Sequence, residues 1–164
     1  MSMYLSKSIL AKEEKYLYLQ KSHFTGKGLF TNKAIAKGEI VCTYMGEIID
    51  NDEALRRADE EQDQYLVEYK GEKCLDSMPI FCYAMYANDA AGLIKAQGIR
   101  NNCKIEILKG APRMVATRNI KPGEEILVGY GRAYWNNVKQ RIKKKEDAKA
   151  KRAANKAAKL VLSS

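Results

Sequence analysis

The composition of this 164-residue chain changes sharply near residue 138. Glycine, proline and aromatic residues lie before that point, whereas the segment after it consists largely of alanine and lysine. The first set is typical of turns and strands in a packed domain, and the second favours helix. We therefore predict a folded domain over residues 10–137 and a tail over residues 138–164, with a helix that starts near Tyr134.

The charge follows the same division. Residues 139–164 hold ten Lys or Arg and two acidic residues, a net charge of +8, whereas the preceding 138 residues carry only +1. Such a tail is typical of phosphate contact with nucleic acid or nucleosomes, or of a nuclear import signal. The alternative is a solvated helix that its charge keeps soluble.

Several classes of protein are excluded early. The chain has no 18-residue apolar run, and its first ten residues lack the apolar stretch of a secretion signal. Four irregularly spaced cysteines and a single histidine, His23, argue against a disulfide framework and against a metal site. We expect an intracellular protein without a metal and without a membrane partner.

The body of the chain is predicted to be mostly β. Aromatic and β-branched residues favour strands at residues 16–19, 40–44 and 126–130. Residues 104–108 and 114–117 suit a hairpin across the turn-rich stretch 109–112. Residues 50–64 are polar and suit a helix or a long excursion. Residues 34–40 resemble residues 119–126, a similarity that any β protein could show by reusing one turn.

Three short clusters of glycine and tyrosine mark candidate sites: residues 26–28 (G-K-G), 44–46 (Y-M-G) and 129–131 (G-Y-G). Taken singly, each suits a tight turn or a packed aromatic residue with an exposed hydroxyl. Their order along the chain is more specific, because Y-A-N-D-A-A-G at 86–92 and R-N-N-C at 100–103 lie between the second and third clusters.

This ordered set resembles the SET domain of protein lysine methyltransferases, from about residue 15 to residue 135. The most specific piece is G-E-E-I-L-V-G-Y-G at 123–131, which is similar to the family's G-E-E-L-x-x-x-Y-G. The chain looks most like compact SET proteins of the viral and protist type. The resemblance implies the β-clip fold, with small curled sheets and a knot-like threading near the C-terminal motifs, followed here by the basic helix.

The resemblance also implies S-adenosylmethionine as the methyl donor. It assigns donor binding to Gly26, Lys27, Gly28, Tyr65, Asn88, Asp89, Tyr130 and Trp135. The G-K-G backbone would meet the amino-acid end of the donor, since any Cβ there would hold the ligand off. Asn88 and Asp89 match the family's Asn-His pair, which acts mainly through its backbone, and Trp135 would lie against the adenine ring.

Tyr130 matches the catalytic tyrosine of the family, and Tyr44 matches a tyrosine that lines the lysine channel. The substrate amine, whose ordinary pKa is about 10.4, must be neutral to accept a methyl group. Burial in an aromatic channel beside a sulfonium cation disfavours the charged amine. The protein then acts mainly by holding the reacting atoms in line.

Some positions depart from the family pattern. Asp89 stands where the family has histidine, the cysteines of the N-H-S-C and C-x-C motifs are absent, and residues 91–100 form a longer loop. Trp135 and the helix after it would have to close the site in place of a zinc-stapled lid. These departures motivate an alternative function, a catalytically weak SET-like binding module that associates with chromatin or basic peptides.

The expected partner is a protein substrate that presents a lysine, with histone tails as the usual family target. Nucleosome or nucleic-acid contact through the basic tail would accompany it. A histone substrate places the protein in the nucleus rather than in the cytoplasm.

Overall fold

The computed structural model describes residues 3–162, and the side chains of residues 7–153 and 155. The chain divides into two compact units, Met1–Gly129 and Tyr130–Ser164. In the described part of the chain, all strands belong to the first unit and one long helix forms most of the second. None of the described helices combines the length and the apolar character that a membrane crossing requires.

The elements follow one another in a fixed order. The helices are α1 (Met3–Glu13), α2 (Asn51–Asp59), a 3-10 helix (Tyr83–Tyr86) and α3 (Arg132–Leu162). The strands are β1 (Leu17–Lys21), β2 (Lys27–Thr31), β3 (Ile40–Thr43), β4 (Glu47–Asp50), β5 (Leu66–Glu68), β6 (Lys73–Asp76), β7 (Cys103–Leu108), β8 (Ala111–Ala116) and β9 (Glu125–Ile126).

The described strands form three small antiparallel sheets, in the orders β1-β2-β9, β3-β8-β7 and β4-β6-β5. This arrangement confirms the predicted fold class, a mainly β domain of small sheets followed by a C-terminal helix. The 3-10 helix packs against β1, β2 and β3 and so connects the first two sheets. Helix α3 begins at Arg132, close to the expected start near Tyr134.

Strand β2 occupies the centre of the first sheet. Leu29 pairs with Leu19 on one side and with Ile126 on the other. Residues 28–31 are therefore buried, while Lys27 at the open end of the strand stays exposed. Burial of such apolar side chains is the main source of stability in a domain of this size. The largest fully buried side chains include Phe30, Leu29, Ile35, Met45, Met114, Ile120, Ile126 and Leu127.

The two similar segments at 34–40 and 119–126 pair with each other. Ile35 and Ile120 exchange two backbone hydrogen bonds of 2.9 Å across an antiparallel bridge. Each segment then turns at a glycine with positive φ, Gly38 at 87° and Gly123 at 83°. The similarity therefore reflects two equivalent turns that face each other, and it is not a larger repeat.

The predicted hairpin is confirmed as β7 and β8. Its turn consists of Lys109 and Gly110, both with positive φ (49° and 78°), which is the geometry that suits a two-residue hairpin. The expected strand at 126–130 is wrong in extent. Strand β9 covers only Glu125–Ile126, and the chain continues with single parallel bridges from Leu127 to Asn88 and from Val128 to Cys103. The knot-like threading stays a prediction.

Helix α1 brings a buried carboxyl group against β3. Glu13 is 4% exposed, and its Oε1 accepts a hydrogen bond from Thr43 N at 2.9 Å, whereas its Oε2 has no hydrogen-bond partner. Burial raises the pKa of Glu13 from 4.5 to about 7, against the Thr43 hydrogen bond and the charges of Arg113 and Lys12. The folded chain therefore carries this group partly protonated near neutral pH.

Glu13 predicts a specific pH dependence of stability. Between pH 4.5 and about 7 the folded carboxyl keeps a proton that the unfolded one has lost. The free energy of unfolding should therefore fall as pH rises through this range, by up to about 3 kcal/mol. Urea unfolding at pH 5 and pH 7.5 should show this fall in the native chain and a smaller one in Glu13→Gln.

The exposed neighbour Glu14 supplies the control. Glu14→Gln removes a carboxylate from the same turn of chain and should leave the pH dependence as in the native protein. If Glu13→Gln and Glu14→Gln gave equal pH profiles, the assignment of the titration to Glu13 would be wrong.

Candidate functional site

The turn between β1 and β2 carries the G-K-G motif. It closes with a hydrogen bond of 3.0 Å from Ser22 N to Gly26 O. Gly26 has φ of +55°, in the left-handed region that favours glycine, and a Cβ built on it would meet nothing within 4 Å. The turn therefore presents open backbone at Gly26, beside the exposed Lys27.

Gly28 makes room for another side chain of the same protein. A Cβ on Gly28 would collide with the carboxylate of Glu125, whose Cδ would lie only 2.9 Å away, and would lie 3.1 Å from Ser22 Cβ. We expected a Cβ here to hold off a donor molecule, but the nearest obstacle in the structure is Glu125. The motif thus combines one open glycine with one glycine packed against a buried carboxylate.

Glu125 links the final G-E-E motif to this turn. Its side chain is 3% exposed. Its Oε1 accepts a hydrogen bond of 2.6 Å from Ser22 Oγ, and its Oε2 accepts one of 3.2 Å from His23 N. The Nδ1 atom of His23 lies 2.9 Å from the same Oε2. A buried carboxylate needs such partners because water no longer solvates its charge.

Ser22, His23 and Glu125 are the residue types of a hydrolase triad, but their arrangement differs from one. The Ser22 hydroxyl donates to Glu125, and Ser22 Oγ accepts from Phe24 N at 2.9 Å. A triad requires the nucleophile to donate to the histidine, so that the histidine can act as base. The geometry favours a structural turn over nucleophilic catalysis at Ser22.

Asn88 holds the same turn from its other side. Its Nδ2 donates to Thr25 O at 3.3 Å and to Lys27 O at 3.2 Å, the carbonyls on either side of Gly26. It also lies 3.4 Å from Glu125 Oε1. The structure therefore brings together four of the predicted donor-site residues, 26–28 and Asn88, and it gives the Asn88 side chain a part that the sequence did not suggest.

Asp89 faces its own loop. Its Oδ1 accepts hydrogen bonds from Ala91 N at 2.7 Å and from Asn101 Nδ2 at 2.8 Å, and Asn101 Oδ1 accepts from Ala90 N at 2.8 Å. The pair of Asp89 and Asn101 thus closes the base of the long loop 91–100. A side chain engaged in this way is in keeping with a position that contributes through its backbone.

The side chain of Asn102 binds backbone groups of residues 125 and 127. This fully buried side chain donates to Glu125 O at 2.7 Å and accepts from Leu127 N at 2.8 Å. The backbone N–H groups of Asn102 and Cys103 both donate to Leu127 O, at 3.1 and 2.9 Å. The segment that precedes Gly129 and Tyr130 in the chain is therefore fixed to residues 102–103 by hydrogen bonds.

Tyr44 and Tyr65, the two predicted site tyrosines that belong to the first unit, lie next to strand ends. Tyr44 follows β3, is 5% exposed, and donates its backbone N–H to Pro112 O at 3.0 Å. Tyr65 precedes β5, is partly buried, and accepts a backbone hydrogen bond of 3.2 Å from Ser77 N. Each is held by a backbone hydrogen bond next to a sheet, Tyr44 to β8 of the second sheet and Tyr65 to the residue that follows β6 of the third.

The second unit begins with a cluster of three aromatic rings. Tyr130 stacks on Trp135, with ring centroids 5.7 Å apart and planes inclined by 8°. Tyr134 meets both rings edge to face, at centroid distances of 5.1 Å. Such ring pairs stabilise a fixed arrangement beyond simple area burial. Two of the predicted site residues, Tyr130 and Trp135, are thus in direct contact.

The chemical resources of the turn are open backbone at Gly26, the cation of Lys27 and the buried carboxylate of Glu125. Both oxygens of that carboxylate are already bonded within the protein, so the groups open to a ligand are the Gly26 backbone and the Lys27 cation. These two suit a ligand that presents a carboxylate group. Within the described residues, no three His, Cys, Asp or Glu side chains cluster in a way that could hold a metal ion.

A family model described as the SET domain matches residues 26–131. The chain belongs to the SET-domain family. The resemblance seen in the sequence is thereby confirmed, and the match includes the G-K-G turn, the Asn88 segment and the G-E-E motif. Ser22 and His23 lie before its first residue.

Relatives of this SET-domain chain carry histone-lysine methyltransferase names. It is 31% identical over 122 residues to "Histone-lysine N-methyltransferase, H3 lysine-4 specific" of Cryptococcus neoformans, which covers 71% of this chain and 8% of the relative. It is 28% identical over 138 residues to "Histone-lysine N-methyltransferase EZH2" of Chaetomium thermophilum, which covers 76% of this chain and 9% of the relative. The chain thus spans less than a tenth of the length of these curated relatives.

Solved structures of Polycomb repressive complex 2 contain a similar fold. An active complex in the basal state matches with a TM-score of 0.59 and 27% identity, over 71% of this chain and 15% of that one. A humanized mutant of the Chaetomium thermophilum complex matches with a TM-score of 0.57 and 28% identity, over 70% of this chain and 15% of that one. The likeness covers about 15% of the length of each of those chains.

Sequence reasoning overlooked three polar side chains that build this site. Glu125 lies in a recognised motif, yet the motif alone does not say that its carboxylate faces the turn at Ser22. The side chain of His23 is 57% exposed even though its ring touches Glu125, and a single histidine in a turn gives no signal of that contact. Asn102 gave one usable signal, an Asn-Asn pair directly before a β-rich segment.

The hydrogen bonds of the Asn102 side chain predict a large loss of stability when that side chain is removed. Asn102→Ala would leave Leu127 N and Glu125 O buried without these partners, and unsatisfied buried polar groups are costly. We expect the free energy of unfolding to fall by about 2 to 4 kcal/mol. Chemical denaturation measures the change, with Asn137→Ala on the exposed surface of α3 as the matched control. Equal stability of the two variants would contradict the role given to Asn102.

Proposed function

We propose that this chain transfers methyl groups from S-adenosylmethionine to lysine side chains of proteins, with histone tails as its substrates. One observation carries the proposal. The G-K-G turn, Asn88 and the G-E-E motif, which are far apart in sequence, meet around an open glycine in a chain of the SET family. The relatives named above are histone-lysine methyltransferases, which supports the same activity here.

The residues at the turn fit the amino-acid end of such a donor. No side chain occupies the space beside Gly26, and the turn is fixed through Asn88 and Glu125 before any ligand arrives. Gly26, Lys27, Gly28, Asn88 and Asp89 would hold the donor mainly through their backbone groups. Tyr65 would border the cofactor pocket, and Trp135 would lie against the adenine ring.

When bound, the donor supplies a methyl group on a positively charged sulfur. The chain's own residues then have to align the substrate amine and keep it neutral. The hydroxyl of Tyr130 would orient the amine, and Tyr44 would form part of an aromatic channel that disfavours the charged amine. The aromatic contacts of Tyr130 with Tyr134 and Trp135 limit the directions in which its hydroxyl can point.

The role of Tyr130 predicts a selective loss of turnover. Tyr130→Phe keeps the ring and its stacking but removes the hydroxyl, so the methylation rate should fall by about 100-fold or more. Donor affinity should stay within about threefold of the native value, since the ring remains. The measurement is transfer of labelled methyl from S-adenosylmethionine to core histones and to bulk cellular protein, with donor binding by calorimetry.

Tyr134→Phe is the matched control, because it removes a hydroxyl from the neighbouring ring of the same cluster. Native turnover in Tyr130→Phe would refute the catalytic assignment. Label on other proteins alone would keep the enzyme and discard the histone substrate. Absence of both methyl transfer and donor binding in the native chain would favour the SET-like binding module.

A second proposal concerns the basic tail. We propose that α3 contacts the phosphate backbone of nucleic acid, such as nucleosomal DNA, in the nucleus. The carrying observation is a segregation of charge around the helix. At 3.6 residues per turn, six of the seven basic residues between 141 and 152 fall within an arc of about 160°. They are Arg141, Lys144, Lys145, Lys149, Lys151 and Arg152.

The opposite side of the same helix is nearly neutral. It carries Lys139 and Lys143 together with both acidic residues, Glu146 and Asp147. Solvation of a helix without a partner does not require its charges to be separated in this way. Binding to a line of phosphates, by contrast, is stronger when the basic residues lie on one face. The six residues of the basic face span about 17 Å along the axis.

Charge placement predicts a face-specific effect on DNA binding. Lys144→Gln with Lys149→Gln removes two cations from the basic face, so the slope of log affinity against log salt should become shallower by about 1.8. The measurement is binding of duplex DNA by fluorescence anisotropy between low and moderate salt. Glutamine keeps the helix propensity close to that of lysine.

The control pair is Lys139→Gln with Lys143→Gln, which changes the net charge equally on the opposite face. This pair should keep nearly the native salt slope. Equal effects of both pairs would mean that only net charge matters and that the face does not exist as a binding surface. A native chain that binds no duplex DNA would end the proposal.

A further inference from the structure

The side chain and the backbone of Glu125 bind different parts of the protein. Both oxygens are engaged, and every partner belongs to the G-K-G turn or to Asn88, which holds that turn. Its backbone, by contrast, pairs with Phe30 in β2 and with the side chain of Asn102. Sheet pairing therefore uses the backbone of Glu125, and the turn uses its side chain.

We propose that Glu125 is a positioning residue for the methyl donor, acting through Ser22 and His23 on the backbone of the G-K-G turn. This inference rests on the proposed function, because it assumes that the turn receives the donor. Ser22 and His23 precede the part of the chain that matches the SET domain, so the family match assigns them no role. We call Glu125, Ser22 and His23 the turn anchor.

The physical reason for an anchor lies in the glycines. Gly26 and Gly28 have no side chains to restrict their backbone, so an unsupported turn would sample many conformations and would have to be ordered when a ligand binds. Ordering at that moment lowers affinity, whereas a preformed turn avoids the loss. The anchor fixes the turn at Ser22 and His23, and Asn88 fixes it at Thr25 and Lys27.

Gly28 and Glu125 fit each other sterically, which supports the same conclusion. The carboxylate lies where a Cβ of residue 28 would be, so it sits directly against the backbone of the motif. Ser22 Oγ transmits this contact further, because it donates to Glu125 and accepts from Phe24 N at 2.9 Å. The hydrogen bonds thus continue from β9 into the first half of the turn.

The test is donor affinity measured apart from turnover. Glu125→Gln keeps the size of the side chain but loses one acceptor oxygen and the charge. We expect the Kd for S-adenosylmethionine to rise by about tenfold or more, while kcat at saturating donor and the KM for the protein substrate stay within about threefold. Calorimetry gives the Kd, and labelled methyl transfer gives kcat and KM.

Two further variants separate positioning from folding. Ser22→Ala should also weaken donor binding, and Ser22→Thr, which keeps the hydroxyl, should restore it. In the Glu125→Gln background, Ser22→Ala should add much less than it does alone, since both changes break one connected network. Glu124→Gln is the matched control, because Glu124 pairs with Arg118 at the surface and does not touch the turn.

Amide hydrogen exchange gives a readout without any ligand. Residues 22–28 should exchange faster in Glu125→Gln than in Glu124→Gln, at a temperature where both remain folded. Native donor affinity or native exchange in Glu125→Gln would overturn the anchor, even if its melting temperature fell. A loss of kcat with unchanged Kd would overturn it as well. A native protein that binds no donor would instead refute the proposed function, and this inference would fall with it.

Discussion

Residues 125–128 have to satisfy their backbone hydrogen bonds while they are completely buried. A buried N–H or C=O group without a partner is costly, so segments from distant parts of the chain must come to this place. Strand β2 pairs with Glu125 and Ile126, Asn88 accepts from Val128 N, and residues 102–103 bind on the remaining side. In sequence these contacts span from 23 residues, between Asn102 and Glu125, to 97 residues, between Leu29 and Ile126. All of them converge on the same four residues. The arrangement of the first unit follows from this requirement.

The position of the candidate site is set by the pairing of the buried segment 125–128. Because Glu125 pairs with β2 through its backbone, its carboxylate lies against Gly28 and reaches the turn before β2. Because Asn88 accepts from Val128, its amide lies within reach of Thr25 and Lys27. The open glycine at the turn is thus framed by the same pairing that closes the core. Stability of the fold and shape of the site are therefore coupled in this protein.

The departures from the family pattern find local explanations in the first unit. Asp89, which stands where histidine is usual, pairs with Asn101 and closes a loop that is longer than the family's. A carboxylate and a carboxamide suit that task because one accepts hydrogen bonds where the other donates. The cysteines of the family's N-H-S-C and C-x-C motifs are absent from these positions, and the second unit begins instead with an aromatic cluster in which Tyr130 and Trp135 are stacked.

The sequence by itself determined the elements that have a local sequence pattern, and it determined the family because a complete set of motifs is present. The change in composition predicted the long basic helix, and the turn-rich stretch around Lys109 and Gly110 predicted the hairpin. The ordered motifs indicated the family. Local runs of aromatic, aliphatic and β-branched residues also indicated the strands β1 and β3. Helix α1 gave no such signal, and the hydrogen bond that links it to β3 comes from Glu13, a residue type that a sequence pattern does not place in a core.

Only the tertiary structure decided which polar side chains work together. Ser22 and Glu125 are 103 residues apart in the chain, and Asn88 lies 61 residues from Lys27. No local pattern encodes such distances, because a hydrogen bond across a sheet depends on register and on which strands are neighbours. The length of β9 was overestimated for a related reason. The apolar residues that follow β9 are buried at two single bridges, at Leu127 and Val128. Burial produces the same sequence pattern whether or not a regular strand continues.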